Sequence, residues 1–441
     1  MTRDIFQPDP LFRRLFLPQK SRPGVTYVPS QFTLPFSHKG KPYTFNMLTR
    51  QCLQTELPAS ARTGEGFDDL IEAMFLVPEG KDECAFYQSV SAMMRLYTQK
   101  SGVGCYTILP TLCCNARCTY CYEEGYPQVT MTPETADRAV RYILDTRADG
   151  ELKLRWFGGE PLLCPDLIDR ICQGLRQAGV PYRSSVISNG SLVTPQILEK
   201  MRGLWNVKHV QISMDGAEED YVARKRYCGG RDQYHTVMDA VSRLSGAGIT
   251  VAVRCNADEE NWEGVPRFLN DLKERVLHKD NVRVYISPLG HVRDGENDVA
   301  FWEKILNARA LIEEAGFRAS ANGGMRLSFR TNHCMADRGD VVIGPDGGLF
   351  ACEHCPPGSR FGDVFRGVTD EAARREFCRT DRTREKCRGC TFLPECTGFS
   401  ACPWRDTHCR EMRELMALNT IRREMDRTED DKKTDEDDFI C

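Results

Sequence analysis

The sequence predicts an α/β protein: a partial barrel of six strand–helix units, (β/α)6, with a small α+β module before it and a cysteine-rich domain after it. Three observations lead to this prediction. Short β-rich runs alternate with helical stretches through the middle of the chain. The first hundred residues follow a different pattern, and more than half of the 21 cysteines fall within residues 113–121 and 334–409.

The barrel prediction rests on six short runs rich in β-branched and aromatic residues, each ending in polar residues or glycine. Helical stretches separate them, and one begins at Thr132 with an N-cap followed by Pro133 at the first helical position. Successive strands joined by helices favour a parallel sheet, and six units in series favour a curved, partial barrel. The candidate strands are Tyr106–Leu112, Leu152–Phe157, Ser184–Ser188, His209–Met214, Thr250–Cys255 and Val282–Ser287.

The N-terminal region predicts a small module made of a hairpin and helices. Phe32–Pro35 and Tyr43–Met47 are candidate strands, and residues 67–74 and 82–97 are candidate helices. Such a module is similar to winged-helix-like peptide-recognition domains; the alternative is an extension that only covers the barrel, and the residues leave both open. The apolar stripe of the longer helix is predicted to consist of Phe86, Val90, Met93, Met94 and Tyr97.

The composition is that of a soluble globular protein, with 41% apolar and 28% charged residues among 441. No apolar run approaches membrane-spanning length, and the first residues lack the apolar core of a signal peptide. We therefore expect a cytoplasmic protein without a membrane partner. In that reducing compartment the cysteines are expected to bind metals rather than to form disulfides.

The formal net charge of −4 is concentrated near the C-terminus, so the composition predicts no nucleic-acid partner. Residues 427–441 are predicted to form an acidic, disordered tail. The other predicted boundaries give an N-terminal module at residues 1–100, the barrel at 101–325 and a cysteine-rich domain at 326–426.

Three cysteines directly after the first candidate strand are the strongest signal for chemistry. Cys114, Cys118 and Cys121 have the spacing C-x3-C-x2-C, which supplies three thiolates from one short loop. Ordinary [4Fe–4S] clusters and structural zinc sites take four protein ligands. Three ligands therefore indicate a [4Fe–4S] cluster with one iron open for a small molecule. A zinc loop or a chance cluster of cysteines is the alternative.

This loop, with Tyr120 just before its last cysteine, resembles the signature of the radical S-adenosylmethionine (SAM) enzymes. The resemblance implies a TIM-like partial barrel in which the open iron binds the amino and carboxylate groups of SAM. It also implies that the reduced cluster cleaves SAM to methionine and a 5′-deoxyadenosyl radical, which abstracts a hydrogen atom from the substrate. A flavodoxin or ferredoxin is the expected reductant.

Polar residues at the ends of the later strands resemble the segments that line the SAM pocket in this family. Gly158-Gly159-Glu160-Pro161 resembles the motif that contacts the methionyl amine, and paired glycines allow a close backbone approach. Ser213 is the expected carboxylate contact, joined by Arg224 or, as its rival, Arg226. The other residues expected in this pocket are Ser188, Asn189, Arg254 and Asn256.

The C-terminal cysteines resemble the SPASM extension of radical SAM enzymes, which holds two auxiliary [4Fe–4S] clusters. Two zinc sites are the alternative, because C-x2-C pairs suit zinc equally well. The resemblance implies that one cluster is bound by Cys387, Cys390, Cys396 and Cys409. It implies that the other is bound by Cys334, Cys352 and Cys402.

Two features depart from the SPASM pattern. Five residues separate Cys396 from Cys402, where the family has three. The second cluster also lacks an obvious fourth ligand. Cys355 is expected to take that position, and without it one iron stays open for a substrate thiolate.

Glu353 directly follows Cys352, where related sulfatase-maturing enzymes carry an aspartate that takes up a proton. The resemblance implies a catalytic base at Glu353, with a surface carboxylate or an arginine partner as the alternative.

The expected activity is modification of a ribosomally made precursor peptide or protein, through a thioether or carbon–carbon crosslink. The nearest alternative activity is oxidation of a sulfatase Cys or Ser to formylglycine. The third hypothesis is a non-catalytic iron–sulfur or zinc protein.

Overall fold

The computed structural model describes residues 2–4, 10–63, 66–98, 101–289, 299–320, 339–354, 359–376, 385–395 and 411–426. These residues divide into two compact units. The first unit combines the described residues up to 98 with 385–395 and 411–426, and the second contains the rest. The domain boundaries derived from the sequence stay a prediction.

The N-terminal part of the first unit contains two small antiparallel sheets. A hairpin forms where the sequence predicts it, with a turn at Lys39 and Gly40, both at positive φ. The sheets have the strand orders β1-β5-β4-β3 and β6-β2-β7. The elements are β1 Thr2–Asp4, α1 Pro10–Phe16, β2 Thr26–Pro29, β3 Thr33–His38, β4 Lys41–Asn46, β5 Gln51–Leu53, β6 Ala61–Arg62, α2 Asp68–Glu72, β7 Leu76–Pro78 and α3 Glu83–Thr98.

Helix α3 packs Phe86, Val90 and Met94 of the predicted stripe into the core but not its other two residues. Tyr87, Val90 and Met94 are buried in an apolar cluster with the hairpin, whereas Met93 and Tyr97 are exposed. The helical period allows either stripe, because apolar residues occupy both sides of the helix. Which side is buried depends on the strands that pack against it.

The second unit contains a parallel sheet flanked by helices, which confirms the predicted α/β fold. Two helices, rather than one, separate β11 from β12. The parallel strands are β8 Cys105–Thr111, β9 Leu152–Gly158, β10 Tyr182–Ser188, β11 Val207–Ser213, β12 Thr250–Ala257 and β13 Val282–Pro288. The helices are α4 Pro133–Thr146, α5 Pro165–Gln177, α6 Pro195–Arg202, α7 Glu218–Lys225, α8 Tyr234–Gly246, α9 Val265–Arg275 and α10 Val299–Glu314.

The alternation of side chains along these strands separates an outer face from an inner face. Tyr106 of β8 packs edge-on against Tyr142 of α4, with ring centroids 6.3 Å apart, so its face lies toward the helices. Tyr106 pairs with Leu154 of β9. The next residue, Arg155, therefore points to the opposite face, which is the inner one. On that face, Tyr285 of β13 donates a hydrogen bond of 2.8 Å to Gln211 of β11.

Further strands extend this sheet at both of its edges. Strand β14, Arg318–Ala319, pairs with β13 in parallel. Strand β15, Val341–Ile343, pairs in parallel with β8, so the chain returns to the strand that precedes the predicted cluster loop. The antiparallel strands and the helix that follow are β16 Gly348–Phe350, β17 Arg360–Asp363, β18 Gly367–Val368 and α11 Glu371–Glu376.

The last described helix, α12 at Glu411–Asp426, belongs to the first unit. Its Ala417 and Ile421 are buried in the same apolar cluster as Phe392 and Phe45. The N-terminal hairpin and the described C-terminal cysteine segment therefore share one core. No helix in the described part of the chain is both long and apolar enough to cross a membrane.

Candidate active site

The cysteine loop, residues 112–122, follows the carboxyl end of β8. Its thiols at Cys114, Cys118 and Cys121 are free and half-buried. Burial raises the pKa of Cys114 to about 12, and the negative charges of Glu160 and the other two cysteines add to the rise. Three thiolates can therefore coexist here only beside a compensating positive charge, which a metal centre supplies.

The backbone after α7 holds one side of the cysteine loop. Arg117 N donates to Lys225 O at 3.1 Å and to Arg226 O at 3.0 Å, and Thr119 N donates to Arg224 O at 3.0 Å. These hydrogen bonds join main-chain atoms, so they fix the path of the loop between Cys114 and Cys121 whatever the side chains are.

The end of β9 lies in close backbone contact with the other side of the loop. Gly159 N donates to Thr111 O at 3.0 Å, and Glu160 N donates to Cys113 O at 2.9 Å. A Cβ atom on Gly158 would lie 2.3 Å from Thr111 O, and one on Gly159 would lie 2.3 Å from Cys113 O. The two glycines are thus required by the close approach of two backbones.

Glu160 is completely buried and ties the end of β9 to the end of β10. One carboxylate oxygen accepts from Ser188 Oγ at 2.8 Å and from Leu162 N at 3.1 Å, and the other accepts from Asn189 N at 2.8 Å. Burial raises the pKa of Glu160 to about 7, although these hydrogen bonds oppose the rise. The strand ends that carry the predicted SAM-pocket residues are therefore locked together.

Asn189 connects this edge of the sheet to the cysteine loop. Its Nδ2 donates to Asn115 Oδ1 at 2.8 Å and lies 4.0 Å from Cys114 Sγ. Asn115 in turn donates to Ser191 Oγ at 2.9 Å. Ser213, at the end of β11, is half-buried on the inner face of the sheet.

A buried charged network lies beneath the loop. The carboxylate of Asp215 is fully buried and accepts hydrogen bonds from Tyr120 and from Asn256 Nδ2, the latter at 2.8 Å. Lys225 Nζ lies 3.2 Å from Asp215 and donates to Tyr120 at 2.9 Å. Burial works against the charge of Lys225, but Asp215 and the nearby Cys118 hold its pKa above the ordinary value.

The predicted cationic partner of SAM therefore has three candidates in consecutive positions. Arg224 donates to both carboxylate oxygens of Asp258, at 2.8 and 2.6 Å, and to Glu260 at 3.2 Å. Arg226 is exposed, and its side chain donates to the backbone of α7. Lys225 is the cation that lies against the cysteine loop, and the sequence interpretation missed it.

Glu353, in the segment after β16, lies against the inner face of the sheet, which carries Arg155 and Arg254. Glu353 Oε2 lies 3.6 Å from Arg155 Nη1 and is itself buried without a hydrogen-bond partner. The neighbouring His354 packs on the Tyr122 ring, with centroids 4.3 Å apart. Burial lowers the pKa of His354, and Arg254 contributes to that shift, so Arg254 lies close to this segment.

An apolar cavity of about 310 Å³ opens beside the cysteine loop, and Glu353 forms part of its wall. Burial raises the pKa of Glu123, another wall residue, to about 7. The apolar lining includes Leu109, Leu112, Tyr126, Val129 and Phe350. A cavity with these walls suits a partly apolar guest held next to a carboxylate.

Of the predicted auxiliary ligands, three lie in the described residues. Cys352 follows β16 in the second unit, and Cys387 and Cys390 lie together in the first unit, with Cys390 N donating to Cys387 O at 3.1 Å. All three side chains are half-buried. The other predicted ligands lie outside the described residues: Cys334, Cys355, Cys396, Cys402 and Cys409.

The donor set of the cysteine loop fits an iron–sulfur cluster with bound SAM. Three free thiols project from one loop, two glycines keep the neighbouring strand end in contact with it, and a buried cation lies beneath it. In the part of the chain that the structure describes, no three His, Cys, Asp or Glu side chains converge on a single metal ion. The sequence interpretation missed Asp215 and Lys225, although the Ser213–Gly216 segment contains the first.

Comparison with known proteins finds a match to one family model and similarity to several proteins. Residues 108–272 match the model of the radical SAM superfamily. The AdoMet-dependent heme synthase of Methanosarcina barkeri is 24% identical over 317 residues, which cover 65% of this chain and 88% of the synthase.

Two solved structures share the fold. One is a polyhistidine-tagged anSMEcpe with bound AdoMet, with a TM-score of 0.57, 18% identity, and coverage of 73% of this chain and 97% of that one. The other is Streptococcus suis SuiB bound to the precursor peptide SuiA, with a TM-score of 0.53, 13% identity, and coverage of 84% and 95%. Residues 101–441 are less than four-fifths of this chain, so the match to SuiB extends into the first hundred residues.

Proposed function

We propose, on the premise that the chain is a radical SAM enzyme, that it modifies a ribosomally made precursor peptide by forming a thioether or carbon–carbon crosslink. One observation carries the radical chemistry: the three-cysteine loop at the end of β8, held between the Gly158–Glu160 segment and residues 224–228. The peptide substrate is supported by the likeness to peptide-bound SuiB, which extends into the N-terminal module.

The cluster and SAM have a defined set of proposed ligands on this chain. Cys114, Cys118 and Cys121 would bind the [4Fe–4S] cluster. Bound together, the cluster and SAM supply a carbon-centred radical that removes a hydrogen atom from the substrate. To the cations expected next to SAM we add Lys225, because it is buried against the loop. The other residues proposed for the SAM pocket are Gly158, Gly159, Glu160, Ser188, Asn189, Ser213, Arg224 and Asn256.

The protein residues hold the cofactors in place and keep water out. Backbone hydrogen bonds from Arg117, Thr119 and Glu160 fix the cysteine loop from two sides. The apolar cavity beside the loop would exclude water from the reacting group. Its wall residue Glu353 is proposed to accept the proton that the substrate releases, with Arg155 orienting its carboxylate.

Eight further cysteines are proposed to bind two auxiliary clusters that accept the electron lost by the substrate. Cys352, Cys387 and Cys390 are half-buried, and Cys387 and Cys390 lie in one short turn, with Cys390 N donating to Cys387 O at 3.1 Å. The remaining proposed ligands are Cys334, Cys355, Cys396, Cys402 and Cys409. A flavodoxin or ferredoxin is the proposed reductant of the first cluster.

The test uses full-length protein purified and reconstituted without oxygen, with SAM, dithionite and each short peptide encoded beside its gene. We expect 5′-deoxyadenosine and a peptide lighter by two hydrogen atoms, about 2 Da by mass spectrometry. Iodoacetamide labelling of the product distinguishes a thioether, which consumes a thiol, from a carbon–carbon bond. The Cys118→Ala variant is the control and should yield neither product.

The nearest alternative, formylglycine formation, is supported by the fold of anSMEcpe alone. A peptide from a sulfatase active site, supplied in the same assay, tests it. Conversion of its Cys or Ser to an aldehyde, with the neighbouring peptides unchanged, would reject the precursor-peptide proposal. SAM cleavage with no change in any peptide would reject both.

A further inference from the structure

The inner face of the second unit is unusually basic. The strand register shows which residues of β8–β13 have side chains on the same face of the sheet as Arg155 and Tyr285. Among them are five Lys or Arg residues and no Asp or Glu. The cations are Lys153, Arg155, Arg183, Arg254 and Arg283.

Two of these arginines have acidic partners. Arg155 Nη1 lies 3.6 Å from Glu353, and Arg183 Nε lies 3.3 Å from Glu151. Their charges are therefore at least partly neutralised within the chain, and neither of them needs a ligand to balance it.

Arg254 has no such partner in the described part of the chain. Its Nη2 donates to the hydroxyl of Ser287 at 3.0 Å, and its Nε is buried without a hydrogen bond. Among the described residues no carboxylate forms an ion pair with it. A buried guanidinium donor without an acceptor is costly, so this arrangement favours an external acceptor.

Arg254 lies farther from the cysteine loop than Asn256 does, although the sequence interpretation groups both with the SAM-pocket residues. Asn256, two residues later on β12, contacts Tyr120 and Asp215 beneath the cysteine loop. Arg254 lies one inward position deeper, roughly 7 Å along the strand. It lies directly beside Tyr285 of β13 in the register, and its hydrogen bond to Ser287 joins the same two strands.

We infer that Arg254 binds a carboxylate of the substrate, an Asp or Glu side chain of the peptide close to the residue that is modified. This inference rests on the proposed function. The Nε and Nη2 edge of a guanidinium is the fork that a carboxylate accepts with both oxygens. Arg254 shares the inner face with Arg155, which contacts Glu353, and lies one inward position from Asn256, which contacts the cysteine loop.

The experiment uses the reconstituted full chain with SAM and two synthetic tripeptides, acetyl-Ala-Glu-Ala-amide and acetyl-Ala-Gln-Ala-amide. Binding is measured by saturation-transfer NMR, with titration to obtain Kd. We expect the Glu peptide to bind about tenfold more tightly than the Gln peptide, as one charge-assisted contact implies. Arg254→Gln should abolish that preference and Arg254→Lys should retain part of it.

The matched control is Arg183→Gln, the same change at a paired arginine of the same inner face, which should keep the tenfold preference. Equal binding of the two peptides by the unaltered chain, or an unchanged preference in Arg254→Gln, would overturn the inference. A loss of SAM affinity in Arg254→Gln, measured by equilibrium dialysis without peptide, would assign Arg254 to the cofactor and overturn it as well.

Failure of the proposed function gives a different result. If no precursor peptide is modified but binding of the Glu tripeptide still depends on Arg254, the carboxylate site is supported and the proposed activity is rejected. If a precursor and its variant with amides in place of the acidic residues are modified at equal rates, the proposed activity is supported and the carboxylate site is rejected.

Discussion

Replacing Gly159 by alanine tests the claim that the strand end and the cysteine loop must touch. The new Cβ would lie 2.3 Å from Cys113 O, 2.6 Å from Cys113 C and 2.7 Å from Leu112 O. All three are backbone atoms, so no side chain can move aside. Ordinary contact begins near 3.4 Å, so the two segments must separate by about 1 Å, which for overpacking costs about 1–3 kcal/mol.

That displacement acts on the residues directly before Cys114. A misplacement of about 1 Å in a catalytic constellation can reduce turnover roughly 100-fold. We expect Gly159→Ala to lower the melting temperature by roughly 2–6 °C, to bind less iron, and to form 5′-deoxyadenosine about 100-fold more slowly.

Gly104→Ala is the matched control, because nothing lies within 4 Å of its added Cβ. Differential scanning calorimetry, iron analysis and chromatographic quantification of 5′-deoxyadenosine provide the three readings. If Gly159→Ala matches Gly104→Ala in all of them, the close approach of β9 to the loop has no functional consequence and the reasoning fails.

Three further substitutions test separate parts of the site. Lys225→Met leaves the buried Asp215 without its cation and should lower the free energy of unfolding, measured by urea denaturation, by about 3 kcal/mol. The control is Arg226→Met, at an exposed position, which should leave that free energy unchanged. Cys387→Ala should lower the iron content by about four per chain while SAM is still cleaved without product, and unchanged iron would contradict an auxiliary cluster there. Glu353→Gln should slow peptide conversion about 100-fold and leave peptide-independent SAM cleavage intact, whereas equal loss of both would show that this carboxylate supports the cofactor instead.

The sequence predicts the α/β fold and the strand ends that meet at the site because both depend on local patterns. Strand–helix alternation determines a parallel sheet, and a parallel sheet brings the residues after each strand to one edge. The cysteine loop, the Gly158–Glu160 segment and Asn256 are therefore found at the same edge in the structure.

Tertiary contacts decide what the sequence leaves open. Arg224, Lys225 and Arg226 are equivalent in a sequence pattern, and only the turn at the end of α7 determines that Lys225 points beneath the loop. The buried stripe of α3 depends in the same way on its neighbours. The inner-face position of Arg254, and its lack of an acidic partner among the described residues, follow from the register of five strands rather than from any motif.

Iron and sulfide analysis of the anaerobically reconstituted chain, with a SAM-cleavage assay in dithionite, tests the central claim most directly. We expect about twelve irons per chain and formation of 5′-deoxyadenosine. Tightly held zinc with no cleavage of SAM would contradict it, and the cysteines would then serve a structural role.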